Sequence, residues 1–173
     1  MYEGQNFEIT WPKGKLSNGR PLQRLQFGIQ ERVTRLEERD SMSKPEVVEI
    51  EGKHLSLTNL DKVLYPRTGF TKGDVIAYYA AIAPVLLGHL ADRPLTVTRW
   101  PDGVQAKSFF QKQAPAHRPE WVRTATVASA SKPIDYTLAD DLPTLVWLAN
   151  LAAIELHVPL ARAEAIGDRK SVV

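Results

Sequence analysis

A chain of 173 residues, of which 43% are hydrophobic and 24% charged, has the composition of a globular protein and enough length to bury one core. It contains no cysteine, which excludes disulfides, thiolate zinc sites and cysteine nucleophiles and agrees with a cytoplasmic location. The formal net charge of +2 is too small to indicate nucleic-acid binding by itself, and no apolar run approaches the ~20 residues of a membrane span.

The distribution of charge is more informative than its sum. Between Leu60 and Arg123 the sequence has nine Lys or Arg residues and five Asp or Glu residues. This local excess of positive charge is a modest feature of the kind that attracts nucleic acids.

The first 45 residues differ from the rest of the chain. Residues 12–21 are rich in turn-forming residues, and residues 40–45 have the composition of a linker. The segment between them is polar and charged, with only a weak helical pattern of apolar residues. We therefore expect residues 1–45 to be a loosely attached extension or linker, and residues 46–173 to belong to the folded domain.

From residue 46 onward, helical and strand patterns alternate along the chain. In chain order the patterns predict two strands (47–51, 54–58), a helical turn (60–64), a helix capped by Thr71 and kinked or divided at Pro84, two strands (95–100, 107–112) joined by a turn at 101–103, two further strands (122–128, 134–138), a buried helix from Asp141 to about Ala153, and a last strand (154–158). This mixture predicts an α+β, or mixed α/β, fold.

Two lysines are candidate phosphate ligands. Lys62 and Lys72 both lie near predicted helix N-termini, where free backbone N–H groups and the helix dipole favour anions. An ammonium group at such a position could hold a terminal phosphate. Two solvated surface lysines are the alternative, which spacing alone favours.

An aromatic doublet and a polar pair are the other candidates. Phe109 and Phe110 are adjacent on a strand, so one ring must leave the core unless two layers bury both, and an exposed ring in a basic groove could stack on bases. Glu155 and His157 share one face of the last strand, where His157 could contact a phosphate or act as an acid or base. A structural histidine is the alternative.

The carboxylates and histidines do not suggest a metal site. Asp140 and Asp141 form the only adjacent acidic pair after residue 45, and their position favours helix capping. His54, His89 and His117 have no partner at metal-ligand spacing. The sequence therefore predicts no metal ligand and no catalytic residue.

Three segments in unbroken order, over about residues 47–160, closely resemble one family. They read LTNLDKVLYPRTGFTKGDVIAYYAAIAPVLLGHLADRPLTVTRWPDG, SFFQKQAPAHRPEWV and DDLPTLVWLANLAAIELHVP. The segments are similar to the polymerase domain of bacterial DNA ligase D, in the archaeo-eukaryotic primase superfamily. The resemblance implies template-dependent addition of NTPs or dNTPs at broken or gapped DNA in non-homologous end joining, with Mn²⁺ or Mg²⁺, the end-binding protein Ku and a ligase domain.

The resemblance also assigns roles to individual residues. It implies that Lys62 and Lys72 hold a 5′-phosphate, that Phe109 and Phe110 pack against template and base, and that His157 contacts the phosphates of the incoming nucleotide. Asn59 and Arg99 are further candidate DNA contacts.

One departure from the family limits these expectations. In the family an Asp-x-Asp strand follows the strand that ends in HVP, whereas here the chain continues LARAEAIGDRKSVV and Asp168 has no carboxylate two residues away. We therefore expect the N-terminal part of a primase-like fold, truncated before the catalytic carboxylates. A noncatalytic module that binds 5′-phosphorylated DNA ends, or a nonfunctional fragment, is the alternative.

Overall fold

The computed structural model describes residues 45–129 and 131–166, so the predicted extension, apart from its last residue, and Asp168 lie outside the described residues. The elements are β1 (Glu46–Ile50), β2 (Lys53–Leu57), β3 (Val63–Tyr65), β4 (Phe70–Thr71), α1 (Lys72–Leu90), β5 (Thr96–Arg99), β6 (Phe109–Gln111), β7 (Thr124–Val127), β8 (Ile134–Thr137), α2 (Leu142–Asn150), β9 (Ala153–His157) and α3 (Ala163–Ile166). This mixture of helices and strands confirms the α+β, mixed α/β class.

The largest sheet of the described residues has the order β6-β5-β9, with β5 antiparallel to both neighbours. Thr98 of β5 lies opposite Phe110 on one side and Glu155 on the other, so these side chains form a row across one face. Val97 and its partner Leu156 face the core. The helices therefore cover one face of this sheet and leave the other open.

Three hairpins and two helices complete the described fold. β1 pairs with β2, β3 with β4, and β7 with β8, each pair antiparallel. α1 and α2 pack against each other over the core face of the sheet. The largest fully buried aliphatic side chains are Leu64, Leu90, Leu95, Leu145, Leu148 and Val146.

α1 begins with a capping box, as the sequence predicts. The Thr71 hydroxyl accepts a hydrogen bond from the backbone N–H of Asp74 at 3.2 Å, and the Asp74 carboxylate accepts one from the backbone N–H of Thr71 at 2.8 Å. This reciprocal pair satisfies N–H groups that the first helical turn would otherwise leave unpaired.

Pro84 does not divide α1. The helix is continuous from Lys72 to Leu90, so of the two expected effects of the proline, a kink or a division, the division is wrong. Buried residues on both sides of the proline, Ala83 before it and Leu90 after it, keep the helix packed on the core. By length and composition alone α1 could also cross a membrane, but its packing against α2 is typical of a core helix.

The predicted helical turn at residues 60–64 is also wrong. The backbone N–H of Lys62 bonds to the carbonyl of Asn59 at 3.0 Å and closes a turn, after which Val63–Tyr65 forms β3 against β4. Asn59 has a positive φ of 50°, which reverses the chain before a helix can form.

Asp141 caps α2, as the sequence predicts, and the helix ends earlier than expected. The Asp141 carboxylate accepts the backbone N–H of Thr144 at 2.9 Å and pairs with the Lys53 ammonium at 2.5 Å. The helix stops at Asn150 rather than near Ala153, because Ala152 has a positive φ of 56° that turns the chain into β9.

Two interactions of Asp141 stabilise the start of α2. Burial alone would raise the pKa of Asp141, but hydrogen bonds from Lys53 and Thr144 outweigh it and hold this pKa below its ordinary value. Asp141→Ala removes both the cap and the ion pair, whereas Asp141→Asn retains a side chain that can cap. We expect the alanine variant to lower the free energy of unfolding by roughly 1–3 kcal/mol, and the asparagine variant by less.

Urea denaturation of both variants, at neutral and acidic pH, measures this difference. Because the pKa of Asp141 is lower in the folded state, the advantage of the wild type over Asp141→Asn is complete above the ordinary value of 3.8 and is lost as the pH falls through the folded pKa. Glu120→Ala, at an exposed position, is the control. An advantage that does not change with pH would contradict the proposed ion pair.

Candidate functional site

The C-terminal end of α2 binds groups from three other parts of the chain. The Lys72 ammonium donates to the carbonyl of Asn150 at 3.1 Å, and the Arg99 Nε donates to the carbonyl of Leu151 at 2.8 Å. The Asn150 side chain joins β2, since its amide donates to the carbonyl of Ser56 and its oxygen accepts the N–H of Thr58, both at 3.1 Å. Cations are favoured here because the last carbonyls of a helix are unpaired and carry its negative dipole end.

Lys72 is buried, with 5% of its surface exposed, although it carries an ammonium group. Besides the Asn150 carbonyl, its Nζ donates to the Thr58 hydroxyl at 3.2 Å. Within residues 45–129 and 131–166, no Asp or Glu forms an ion pair with it. The alternative of a solvated surface lysine is therefore wrong for Lys72.

The two candidate lysines are neighbours in space. The backbone N–H of Lys72 donates to the carbonyl of Lys62 at 2.8 Å. Burial, and secondarily the positive charge of Lys62, lower the pKa of Lys72 from 10.5 to about 8. A charge that is unfavourable in the free protein is one that an anion can stabilise.

Lys62 is the exposed member of this lysine pair. Its Nζ lies 2.6 Å from a carboxylate oxygen of Asp102, in the turn after β5, and 39% of the Lys62 side chain is exposed. The backbone of Asn59 positions Lys62 by closing the turn before it. The structure therefore brings Asn59, Lys62 and Lys72 together at the start of α1.

Backbone N–H groups at this helix start are already paired. The N–H of Lys72 donates to Lys62, the N–H of Gly73 donates to the carbonyl of Leu60 at 2.8 Å, and the N–H of Asp74 is capped by Thr71. Lys62 itself does not lie at a helix start. The expectation of free N–H groups for an anion is thus wrong, and only the ammonium groups remain to bind one.

The open face of the sheet carries the second group of candidate residues. His157 Nε2 lies 3.0 Å from the Thr98 hydroxyl and 3.2 Å from a carboxylate oxygen of Glu155. The rings of Phe110 and His157 meet edge to face, with centroids 5.3 Å apart. Phe110 is 57% exposed, so this cluster presents an aromatic surface and an imidazole to solvent.

Phe109 points to the other side of β6. Its ring lies under the Arg99 guanidinium, 4.9 Å from ring centroid to Cζ, and it is 43% exposed. Arg99 also donates to Gln111 at 3.1 Å, and burial lowers its pKa although an arginine stays protonated. Both phenylalanine rings are therefore exposed, which excludes the alternative that two layers bury them. The two rings lie on opposite faces of β6. Phe110 belongs with His157, and Phe109 lies on the side of Arg99.

The partners of these residues have no signal in the sequence. Thr58, Thr98, Asp102 and Asn150 contact the candidate residues from 14 or more positions away, and although all four lie in the segments that resemble the family, no local pattern pairs them with these residues. Only the tertiary structure reveals them.

The described residues do not form a metal centre. No group of three or more His, Cys, Asp or Glu side chains among them could hold an ion. Glu155 and His157 are the only such pair on the sheet face, so the Mn²⁺ or Mg²⁺ that the resemblance implies does not fit the part of the chain that the structure describes.

Comparison with known proteins identifies relatives of about three fifths of this chain. A family model for the LigD primase-polymerase domain matches residues 71–173, more than half of the chain. The chain is 50% identical over 107 residues to the multifunctional non-homologous end joining DNA repair protein LigD of Mycobacterium tuberculosis, and 37% identical over 105 residues to the bifunctional non-homologous end joining protein LigD of Bacillus subtilis. These alignments cover 62% and 61% of this chain but only 14% and 16% of the relatives.

A solved structure agrees with these relatives. The polymerase domain of Mycobacterium tuberculosis ligase D, in complex with DNA, superimposes with a TM-score of 0.61 at 50% identity. The match covers 62% of this chain and 38% of that domain, so the chain spans well under half of its solved relative.

The lowered pKa of Lys72 has a measurable consequence. Because the unfolded lysine titrates near 10.5 and the folded one near 8, the unfolded chain binds more protons between these pH values. The contribution of Lys72 to stability therefore rises with pH in this window. We expect the free energy of unfolding of the wild type to increase relative to Lys72→Met by roughly 1–3 kcal/mol between about pH 7 and about pH 10.

Urea denaturation across this range measures the change. Lys107→Met, at an exposed position, should show a constant difference from the wild type. A constant difference for Lys72→Met would mean that Lys72 titrates like an ordinary lysine.

Proposed function

Because this chain belongs to the LigD primase-polymerase domain family, we propose that it binds broken or gapped double-stranded DNA by the 5′-phosphate at the break. The observation that carries this proposal is the pair of lysines joined by a backbone hydrogen bond at the start of α1, of which Lys72 is buried without a carboxylate partner among the described residues. A terminal phosphate carries close to two negative charges at neutral pH and three acceptor oxygens. It therefore matches both the charge and the donors of the lysine pair.

The surroundings of the lysine pair support a DNA ligand. Arg99 lies near Lys72, because the two side chains bind the neighbouring carbonyls of Leu151 and Asn150. Arg99 also forms a cation–aromatic contact with Phe109. Exposed aromatic and cationic side chains together favour stacking on nucleobases. A solved relative contains DNA. We propose that Asn59, Arg99 and Phe109 extend the DNA-contacting surface from the lysine pair.

The sheet face suits a nucleotide. His157 is oriented by Thr98 and Glu155 and could contact phosphate oxygens, while the exposed ring of Phe110 offers a stacking surface. We propose that this face binds the incoming ribonucleotide or deoxyribonucleotide of the template-dependent reaction that the family performs. Ku and a ligase domain are the proposed partners, and the bacterial cytoplasm, with the nucleoid, is the proposed location.

A noncatalytic role of this chain by itself is the second candidate. Two-metal phosphoryl transfer requires carboxylates that hold the ions, and no such cluster is present among the described residues. Primer extension with Mn²⁺ and ribonucleotides distinguishes a polymerase from a noncatalytic chain. Incorporation by the purified chain would establish a polymerase, whereas 5′-phosphate-dependent binding without incorporation would establish an end-binding module, and a chain that unfolds without cooperativity would be a nonfunctional fragment.

The DNA-end proposal predicts a phosphate-dependent affinity. The wild type should bind a gapped duplex with a 5′-phosphate at least about tenfold more tightly than the same duplex with a 5′-hydroxyl, since charge-assisted hydrogen bonds contribute about 1.5–3 kcal/mol each. Lys62→Ala and Lys72→Met should each remove most of this difference. Fluorescence anisotropy with labelled duplexes measures it.

Lys112→Ala, an exposed lysine outside the pair, is the matched control and should retain the difference. Thermal unfolding of each variant distinguishes a lost contact from a lost fold, which is necessary because Lys72 is buried. Equal affinity of the wild type for both duplexes would overturn the proposal.

The nucleotide proposal predicts a different pattern. Phe110→Ala should weaken ribonucleotide binding to the DNA-bound chain by about tenfold, since stacking on one base contributes about 1–3 kcal/mol. His157→Ala should weaken it by a similar factor, since a hydrogen bond to a charged phosphate contributes about 1.5–3 kcal/mol. Phe109→Ala should weaken DNA binding more than nucleotide binding, because its ring lies on the other side of β6. Calorimetric titration with a nonhydrolysable ribonucleotide measures nucleotide binding, and fluorescence anisotropy measures DNA binding. Identical effects of the two phenylalanine variants in both measurements would contradict the assignment of their rings to different surfaces.

A further inference from the structure

The ion pair between Lys62 and Asp102 differs from the other lysine–carboxylate pair of the described residues. Lys53 and Asp141 are both largely buried, at 28% and 29% side-chain exposure, and their pair caps α2. Asp102 is 74% exposed and Lys62 39% exposed, and no other side chain holds the Asp102 carboxylate in the described part of the chain. An ion pair this exposed to solvent is weak and exchanges readily.

The backbone nevertheless holds Asp102 next to Lys62. The turn after β5 closes with a hydrogen bond from the N–H of Gly103 to the carbonyl of Trp100 at 3.1 Å, and Val104 donates to the carbonyl of Leu64 in β3 at 2.8 Å. Gly103 has a φ of +92°, and a Cβ there would lie 3.1 Å from the Leu64 oxygen, so glycine permits this close approach. The fold therefore brings the carboxylate to the lysine from 40 positions away.

The charges of Lys62, Lys72 and Asp102 indicate the role of the Asp102 carboxylate. With Asp102 on Lys62, the described residues match two ammonium groups with one carboxylate, and none of their carboxylates compensates the charge of Lys72. A terminal phosphate that takes the place of the carboxylate on Lys62 would match both ammonium groups with its own two charges. A 5′-hydroxyl has no charge with which to displace Asp102.

We propose that Asp102 occupies the position of the DNA 5′-phosphate on Lys62 in the free protein, and that this carboxylate is displaced only by a phosphorylated end. Asp102 thus determines the specificity of the lysine pair, because a ligand must bind Lys62 more tightly than the Asp102 carboxylate does. This inference rests on the proposed DNA-end function and adds a residue that competes with the ligand.

The test compares gapped duplexes that differ only in a 5′-phosphate or a 5′-hydroxyl. Asp102→Asn keeps the shape of the side chain and removes its charge. We expect it to raise affinity for the phosphorylated gap about three- to tenfold and to leave affinity for the hydroxyl gap unchanged, because the hydroxyl does not contact Lys62.

Two controls separate competition from a general change in charge. Asp61→Asn removes the same charge from the residue next to Lys62, where Asp61 forms no ion pair among the described residues, and should alter neither affinity. In the Lys62→Ala background, Asp102→Asn should have no effect, since the carboxylate then has no ammonium group to occupy.

Each outcome decides one of the two proposals. If the wild type does not prefer the phosphorylated gap, the DNA-end function fails. If it does, and the preference depends on Lys62, but Asp102→Asn binds like the wild type, only the competition by Asp102 is wrong. Equal gains on both duplexes would also overturn it, because they indicate general electrostatic attraction.

Discussion

Three consecutive carbonyls at the end of α2 organise the described fold. Those of Asn150, Leu151 and Ala152 accept hydrogen bonds from the Lys72 ammonium, the Arg99 guanidinium and the backbone N–H of Trp100. A helix leaves its last carbonyls unpaired, and burial without partners would be costly, so the chain supplies donors from α1 and β5. This one helix end thereby fixes the start of α1, the end of β5 and the beginning of β9 relative to one another.

The same constraint places a cation where a ligand can use it. Lys72 donates to neutral acceptors and has no carboxylate partner among the described residues, so burial, and secondarily the charge of Lys62, lower its pKa to about 8. A phosphate would reverse that penalty by supplying the missing charge. The structural role of Lys72 and its proposed binding role are therefore compatible, because the ammonium group has three donors and the fold engages two of them.

The helices cover only one face of the β6-β5-β9 sheet among the described residues, and this leaves aromatic residues exposed on the sheet. α1 and α2 fill the core face, so the row of Thr98, Phe110 and Glu155 faces away from them. Alternation along β6 then sends Phe109 to Arg99 and Phe110 to His157. A single strand thus serves two proposed surfaces, one for DNA and one for a nucleotide.

The sequence alone determined the class of fold, seven of the nine strands of the described residues, and the caps at Thr71 and Asp141, because alternation and capping depend on residues a few positions apart. The order of its motifs also indicated the family that the family model then established. Local signals were misleading at residues 60–64 and at Pro84, where a positive φ and packing on the core prevailed. Only the tertiary structure decided that Lys72 is buried, that Asp102 reaches Lys62 and which side chains the two phenylalanine rings contact, because these contacts join residues 10 to 78 positions apart in the chain.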